Sequence, residues 1–385
     1  MSRINVGIED ASVRHVWEFC HQFAKLGHQV TLFVPDMGSR KALAGVSIVH
    51  IPVLIRKSSI TFFSFYFLLS FFFVYHCLKS RPDLIYTRHQ PMEWLTTWLK
   101  SVFKLPYVIE VNGLAPVEMK INGQPDWYIS IIRWLEKICY RLSDRIVTPS
   151  PLIKDYLLRN YSLDKDHFLV VTNGANPEIS RPMDKEACRT KIGLDPSGKF
   201  LVFVGSLKKW HGIERIVGIM PKLVETIPDV HLLIVGDGEK KDQIKQMVSD
   251  LNFGHRVILT GRVPFEEVPC YINAADIFLA PYFEERLNET GISPLKIFEY
   301  LACGKPVITN PVGGLEKLFE KYQVGILIES NRPDEWVQPI AQLLNDPDRM
   351  KMYGENGFNA VRDEFSWEAV CKKIEKNLAD LVASK

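Results

Sequence analysis

Lys296 and Glu299 stand three residues apart in the run Gly291-Ile-Ser-Pro-Leu-Lys-Ile-Phe-Glu-Tyr-Leu-Ala-Cys-Gly. A cation one turn before a carboxylate is a pair that can hold an anion and a diol in one ligand. Ser293 is suited to cap a helix, Pro294 to occupy its first position and Gly304 to stop it, so the spacing predicts a short helix opening in a loop after a strand. Free N–H groups around Ile292 and Ser293, next to Leu295, together with the helix dipole, make an anion site to which Lys296 adds a full charge. Glu299 shares the face of Lys296, and a carboxylate at that depth accepts both ribose hydroxyls. The pattern suits a nucleotide; a surface Lys and Glu pair is the alternative.

Further candidates lie at predicted strand ends. Gly205-Ser206 follows the strand Phe200 to Val204, with Lys208, Lys209 and His211 close behind, and Gly236-Asp237-Gly238 follows the strand His231 to Val235. Glycines there allow backbone to approach a phosphate, and the basic residues are candidates for stabilising charge on a leaving group. In the first half, Arg88, His89 and Asn112 follow strand ends, and His89 reads equally well as a structural histidine. Asp164-Lys-Asp166 reads as a solvated turn, and the sequence contains no metal-ligand spacing and no Ser-His-Asp or Cys-His nucleophilic arrangement. The expectation is a reaction without metal or resident cofactor.

The elements that position these residues are short β-branched runs alternating with amphipathic stretches, the pattern of doubly wound α/β domains. At 385 residues, 46% hydrophobic and 24% charged, the chain has the size and composition of two globular domains. A domain over 1–178, a linker over 179–199 containing Pro182 and Pro196, a domain over 200–360 and a terminal helix in 361–385 returning to the first domain are expected. A net charge of +2 excludes a strongly basic nucleic-acid binder. Residues 1–178 carry 20 Lys and Arg against 15 Asp and Glu, a local +5. Seven scattered cysteines fit a reducing compartment, and the N-terminal residues lack a signal-peptide pattern, so a cytoplasmic location is expected.

The segment Ile60 to Leu78 is apolar at all but four of its nineteen positions and is flanked by Arg56, Lys57, Lys79 and Arg81. Its length approaches a bilayer core, but Leu84 to Tyr86 must return to the sheet a few residues later, which disfavours a span. A helix lying in the plane of the membrane surface and a helix buried in the core are the two readings.

The run from Gly291 resembles the signature of retaining glycosyltransferases of family 4. Supporting matches run in order along the chain: Lys25-Leu-Gly-His, Pro82-Asp-Leu-Ile-Tyr, Asn173-Gly-Ala-Asn, Phe203-Val-Gly-Ser-Leu-Lys, Leu233-Ile-Val-Gly-Asp-Gly, Thr260-Gly-Arg-Val and Phe365-Ser-Trp. The resemblance implies the α/β GT-B fold: two facing Rossmann-like domains, a cleft between them, and a nucleotide-sugar donor held mainly by the second. It implies that Glu299 holds the ribose, that the main chain at Arg262 and Val263 meets the base, and that Gly205, Ser206, His211, Gly236 and the Gly291–Leu295 segment surround the diphosphate. Lys296, with Lys208 or Lys209, would stabilise the leaving group, His211 would donate a hydrogen bond, and Arg88, His89, Asn112 and Glu289 would face sugar or acceptor. Three positions depart from the family: Gly291 stands where a first Glu is usual, with Glu289 two residues away, and Ser206 and His211 replace the usual phosphate cations. The expected activity is transfer of a hexosyl or N-acetylhexosaminyl group from a nucleotide sugar, UDP before GDP, to a lipid-linked or cell-surface glycan precursor, with the 60–78 segment on the cytoplasmic face of a membrane. A non-catalytic partner that binds a sugar nucleotide is the alternative.

Overall fold

A computed structural model describes residues 11–53, 59–283 and 295–383. The run Ile4 to Ile8, which reads from its sequence as a first strand, lies outside the described residues. The chain divides into two compact units, residues 1–173 with 367–385, and residues 174–366.

In the first unit, β1 (Val30–Pro35) and β2 (Val46–Ile51) pair in parallel, and β3 (Ile85–Arg88), β4 (Tyr107–Glu110), β5 (Arg145–Thr148) and β6 (Phe168–Val170) form a parallel sheet in sequential order. The β4 residues are buried throughout, as a central parallel strand covered on both faces must be. Helix Ser59–Lys79 has two apolar faces. Phe65, Leu69, Phe73 and Cys77 recur every fourth residue and are all buried. Phe67, Phe71, Tyr75 and Leu78 are exposed on the other side. The core reading thus holds for one face and the other face is left to solvent, and among the described residues no helix is long and apolar enough to cross a membrane.

The second unit carries β7 (Lys199–Val204), β8 (Val230–Val235), β9 (Val257–Gly261), β10 (Ile277–Ala280), β11 (Val307–Thr309) and β12 (Gly325–Leu327) in one parallel sheet of order β12-β11-β10-β7-β8-β9. The chain winds outward from β7 in one direction, returns to β10, and winds outward in the other. Strand order therefore reverses between β7 and β10, and their carboxyl ends open a crevice where ligands of such sheets bind.

The expected linker is corrected by the structure. Residues 179–199 include helix Lys185–Lys191, whose Arg189 is buried in the second unit. Its guanidinium donates to the Ala274, Pro196 and Gly198 carbonyls at 2.8–2.9 Å and to Asp276 at 2.6 Å. Asp276 also accepts from the Phe200 N–H at 2.8 Å, which ties the segment to the start of β7. The charged composition that resembles a solvated hinge is a satisfied buried network. The last helix, Trp367–Ala383, belongs to the first unit, where Trp367 meets the His15 ring edge-on at 5.0 Å.

Candidate functional site

At the reversal point the end of β7 and the start of β8's loop touch. Gly205 and Gly236 have φ of 152° and 142°, and a Cβ on Gly236 would overlap the Gly205 carbonyl oxygen, so only glycine fits there. Gly205 N–H donates to Val235 O at 2.9 Å, Leu207 N–H to Asp237 O at 2.9 Å, and Gly236 N–H to Gly261 O at 2.8 Å. These bonds tie the strand-end loops of β7, β8 and β9 together, with Arg262 directly following the Gly261 carbonyl that Gly236 meets. Arg262 is exposed and Val263 is half-buried.

Helix Leu295–Ala302, which lies between β10 and β11 in the chain, brings Lys296 to the same place. A Cβ on Gly205 would stand 3.7 Å from Lys296 Nζ. The lysine stem is partly exposed, yet Nζ is buried and has no hydrogen-bond partner among the described residues. It sits over the rings of Phe203, at 4.4 Å, and Tyr282, at 5.0 Å. Burial among these rings lowers its pKa to about 7. The two rings recover part of the lost solvation through their π faces, and a bound anion would supply the rest. Tyr300 on the same helix anchors it to β7, its hydroxyl donating to Val204 O. Glu299 is half-buried, one turn beyond Lys296, and Leu295 is half-buried at the first position of the helix.

His211 occupies the site in a different role from the expected one. Burial, with the charge of Lys296 next, pushes its pKa down to about 3, so the ring is neutral at neutral pH. Nδ1–H donates to the Ser206 carbonyl, which leaves Nε2 as an acceptor. A neutral ring in this tautomer does not donate to a phosphate, and the expected donor role is withdrawn. Lys208 and Lys296 both bear on the His211 ring electrostatically, and Lys208 Nζ lies 5.8 Å over Trp210. Lys209 is exposed, its backbone N–H donating to Glu239 at 2.9 Å. The structure therefore brings Gly205, Ser206, Lys208, His211, Gly236 and Lys296 together and leaves the Lys209 side chain at the surface. Glu289, Gly291, Ile292 and Ser293 lie outside the described residues.

In the first unit, Glu110 at the end of β4 is buried, with His15 Nε2 2.6 Å away and the Asn112 amide donating to it. Burial alone would raise its pKa, but the charge of His15, followed by Arg88 and Asn112, holds it at about 2. Arg88 donates to Ser12 O at 3.0 Å. Asn112 and Glu110 line a small cavity with His15, Tyr86 and Trp367. His89 is elsewhere: its Nδ1 lies 2.6 Å from Glu93 and its Nε2 3.6 Å from Glu136, all three side chains buried. Both nitrogens face interior carboxylates, so His89 is removed from the residues facing sugar or acceptor. Asp164 accepts from the Asp166 N–H at 2.9 Å in an exposed turn. Among the described residues no group of three or more His, Cys, Asp or Glu is placed to hold a metal.

Tyr282 and His15 were not singled out by the sequence, and Phe203 entered only as the first residue of a motif, without a role at the site. Phe203 and Tyr282 sit at or just past the ends of adjacent strands, a position that needs the strand order before it carries meaning.

Two family profiles match the chain: one described as Glycosyltransferase Family 4 over residues 12–179, and one described as Glycosyl transferases group 1 over residues 184–360. An uncharacterized glycosyltransferase of Methanocaldococcus jannaschii is 27% identical over 286 residues, 72% of this chain and 69% of that protein. Among solved structures, sucrose-phosphate synthase from Thermosynechococcus elongatus superposes with a TM-score of 0.80 at 21% identity, covering 98% of this chain and 94% of that one. Anabaena HepE, solved in complex with UDP and glucose, gives a TM-score of 0.76 at 14% identity, covering 98% of each chain.

Proposed function

Because this chain belongs to the group 1, family 4-type glycosyltransferases of GT-B fold and is on that ground a glycosyltransferase, we propose that it takes its sugar from a nucleoside diphosphate donor, UDP-linked, bound at the reversal point of the second unit's sheet. The observation that carries this reading is the buried Lys296 Nζ beside Gly205, without a hydrogen-bond partner among the described residues. A diphosphate there would neutralise the lysine, lie against backbone that bears no Cβ, and leave its ribose within reach of Glu299. UDP in the HepE complex supports the choice of base.

The chemistry asked of these residues is electrostatic. As the bond from the anomeric carbon to the diphosphate oxygen breaks, negative charge grows on that oxygen, and Lys296, with Lys208 second, stabilises it where charge is poorly screened. We infer retention: the acceptor oxygen bonds to the anomeric carbon on the face the diphosphate leaves, and the acceptor proton passes to the departing phosphate oxygen. With a lysine in place to neutralise the leaving group, no divalent cation is needed. Turnover is expected to survive EDTA, measured by donor consumption; loss on chelation and recovery with Mg²⁺ or Mn²⁺ would overturn that part.

The transferred group is read as a hexosyl or N-acetylhexosaminyl unit and the acceptor as a lipid-linked or cell-surface glycan precursor, with the protein peripheral on the cytoplasmic membrane face. The exposed side of helix Ser59–Lys79 supports membrane contact, and the seven cysteines, all free and buried, are consistent with a reducing compartment. The donor reading is tested at Glu299. Glu299→Ala should weaken UDP binding by about 1.5–3 kcal/mol, the value of charge-assisted hydrogen bonds, and calorimetry showing unchanged affinity would remove Glu299 from the ribose.

A further inference from the structure

Three neighbouring helices of the first unit each turn an apolar stripe outward. On helix Ser59–Lys79 it is Phe67, Phe71 and Tyr75, the two phenylalanine rings in contact at 5.2 Å. On helix Trp94–Phe103 it is Trp94, Trp98 and Val102. On helix Asp126–Leu142 it is Trp127, Ile131 and Trp134. The middle helix packs against both others, and Phe73 meets Phe103 edge-on at 6.0 Å across the first junction. Exposure is high for side chains of this size: 60% for Phe71, 54% for Trp98, 67% for Trp127 and 62% for Trp134.

The charges on these helices are one-sided. Lys79, Arg133, Lys137 and Arg141 reach solvent, and Lys100 pairs with Asp144; the acidic residues are Asp126, which is exposed, and Glu136, which is buried. Apolar area of this extent on a water-facing surface marks an interaction site. Tryptophan and tyrosine favour the membrane–water boundary, and basic residues beside them favour anionic headgroups.

We propose that these three helices together form a docking surface for an anionic lipid bilayer, with Trp94, Trp98, Trp127 and Trp134 at headgroup depth beside Phe67 and Phe71. The proposal rests on the membrane-borne acceptor proposed above and deepens it. One apolar stripe would let the unit roll about a helix axis; stripes on neighbouring helices remove that freedom and fix which side of the unit faces the lipid.

The test is flotation of the full chain with phosphatidylglycerol-containing and pure phosphatidylcholine vesicles, alongside UDP calorimetry. Wild type is expected to float with the anionic vesicles and to have its tryptophan fluorescence quenched by lipid brominated near the headgroup, a readout independent of any variant's folding. The double variant Trp98→Ser with Trp134→Ser should bind roughly tenfold less, Arg133→Glu with Lys137→Glu should lose the preference for anionic lipid, and both should keep wild-type UDP affinity. If the tryptophan variant floats like wild type while Phe67→Ser with Phe71→Ser does not, contact is confined to one helix and the three-helix surface is wrong. Wild type that does not float, or that sediments as a dimer which the tryptophan variant dissociates, assigns the patch to another partner and overturns the proposal. Failure of UDP to bind alongside flotation as expected would remove the donor reading and leave the docking surface standing.

Discussion

Replacing Lys296 by Met is expected to lower kcat by about 10²–10³-fold, the loss seen when one preorganised group that stabilises developing charge is removed. Methionine keeps most of the stem's packing and deletes the ammonium. The effect is large because Nζ is buried over Phe203 and Tyr282, where a charge acts through a poorly screening environment. The variant carries its own control. Burial depresses the Lys296 pKa from 10.5 to about 7, so between these pH values the unfolded chain binds the extra proton, and wild-type stability rises with pH through this group. Lys296→Met abolishes that dependence and should melt no lower than wild type at pH 7, by scanning calorimetry. Lost turnover in a protein at least as stable identifies a catalytic charge; lost turnover with a lowered melting temperature identifies a folding defect.

The second large effect is on stability. His89→Leu should cost about 3–5 kcal/mol in urea unfolding, because it strands the buried carboxylates of Glu93 and Glu136. Glu93 is further held by the Thr87 hydroxyl at 2.6 Å and Glu136 by the Tyr161 hydroxyl, so neither carboxylate can turn to solvent without breaking other bonds. Burial alone would lower the His89 pKa, but the Glu136 carboxylate 3.6 Å away and the hydrogen-bonded Glu93 outweigh it and raise the value from 6.5 to about 9. A raised folded-state pKa gives stability that is complete below 6.5 and is lost as pH rises through 9. The stability difference between wild type and the leucine variant should therefore shrink as pH rises between these values, since the contribution of Lys296 is common to both proteins. UDP affinity unchanged by His89→Leu, measured below the transition, would agree with its position away from the donor.

Much of this arrangement was legible in residue types. The strands read at Leu84 to Tyr86, Phe200 to Val204 and His231 to Val235 lie within about a residue or two of described ones, because fully buried parallel strands read as β-branched runs bounded by turn residues. Gly205, Gly236 and Lys296 were legible as strand-end glycines and a helix-borne cation. Three things were not. Strand order is a property of long-range pairing, so the adjacency of β7 and β10, which places Tyr282 under Lys296, leaves no local trace. The burial of Arg189 depends on carbonyls from Ala274, Pro196 and Gly198, and its segment reads locally as charged linker. The proton state of His211 follows from its burial and from Lys296, which is 85 residues away in the chain.

Whether a nucleoside diphosphate binds at the reversal point with Lys296 on its phosphates is decided by titrating UDP calorimetrically at pH 8 in two buffers of different ionisation enthalpy. With its pKa at about 7, Lys296 is mostly neutral at that pH, and a diphosphate beside it favours the charged form. UDP binding is expected to take up close to one proton in the wild type and about none in Lys296→Met, with weaker affinity in the variant. UDP binding with no proton exchange in either protein and equal affinity would place the diphosphate away from Lys296.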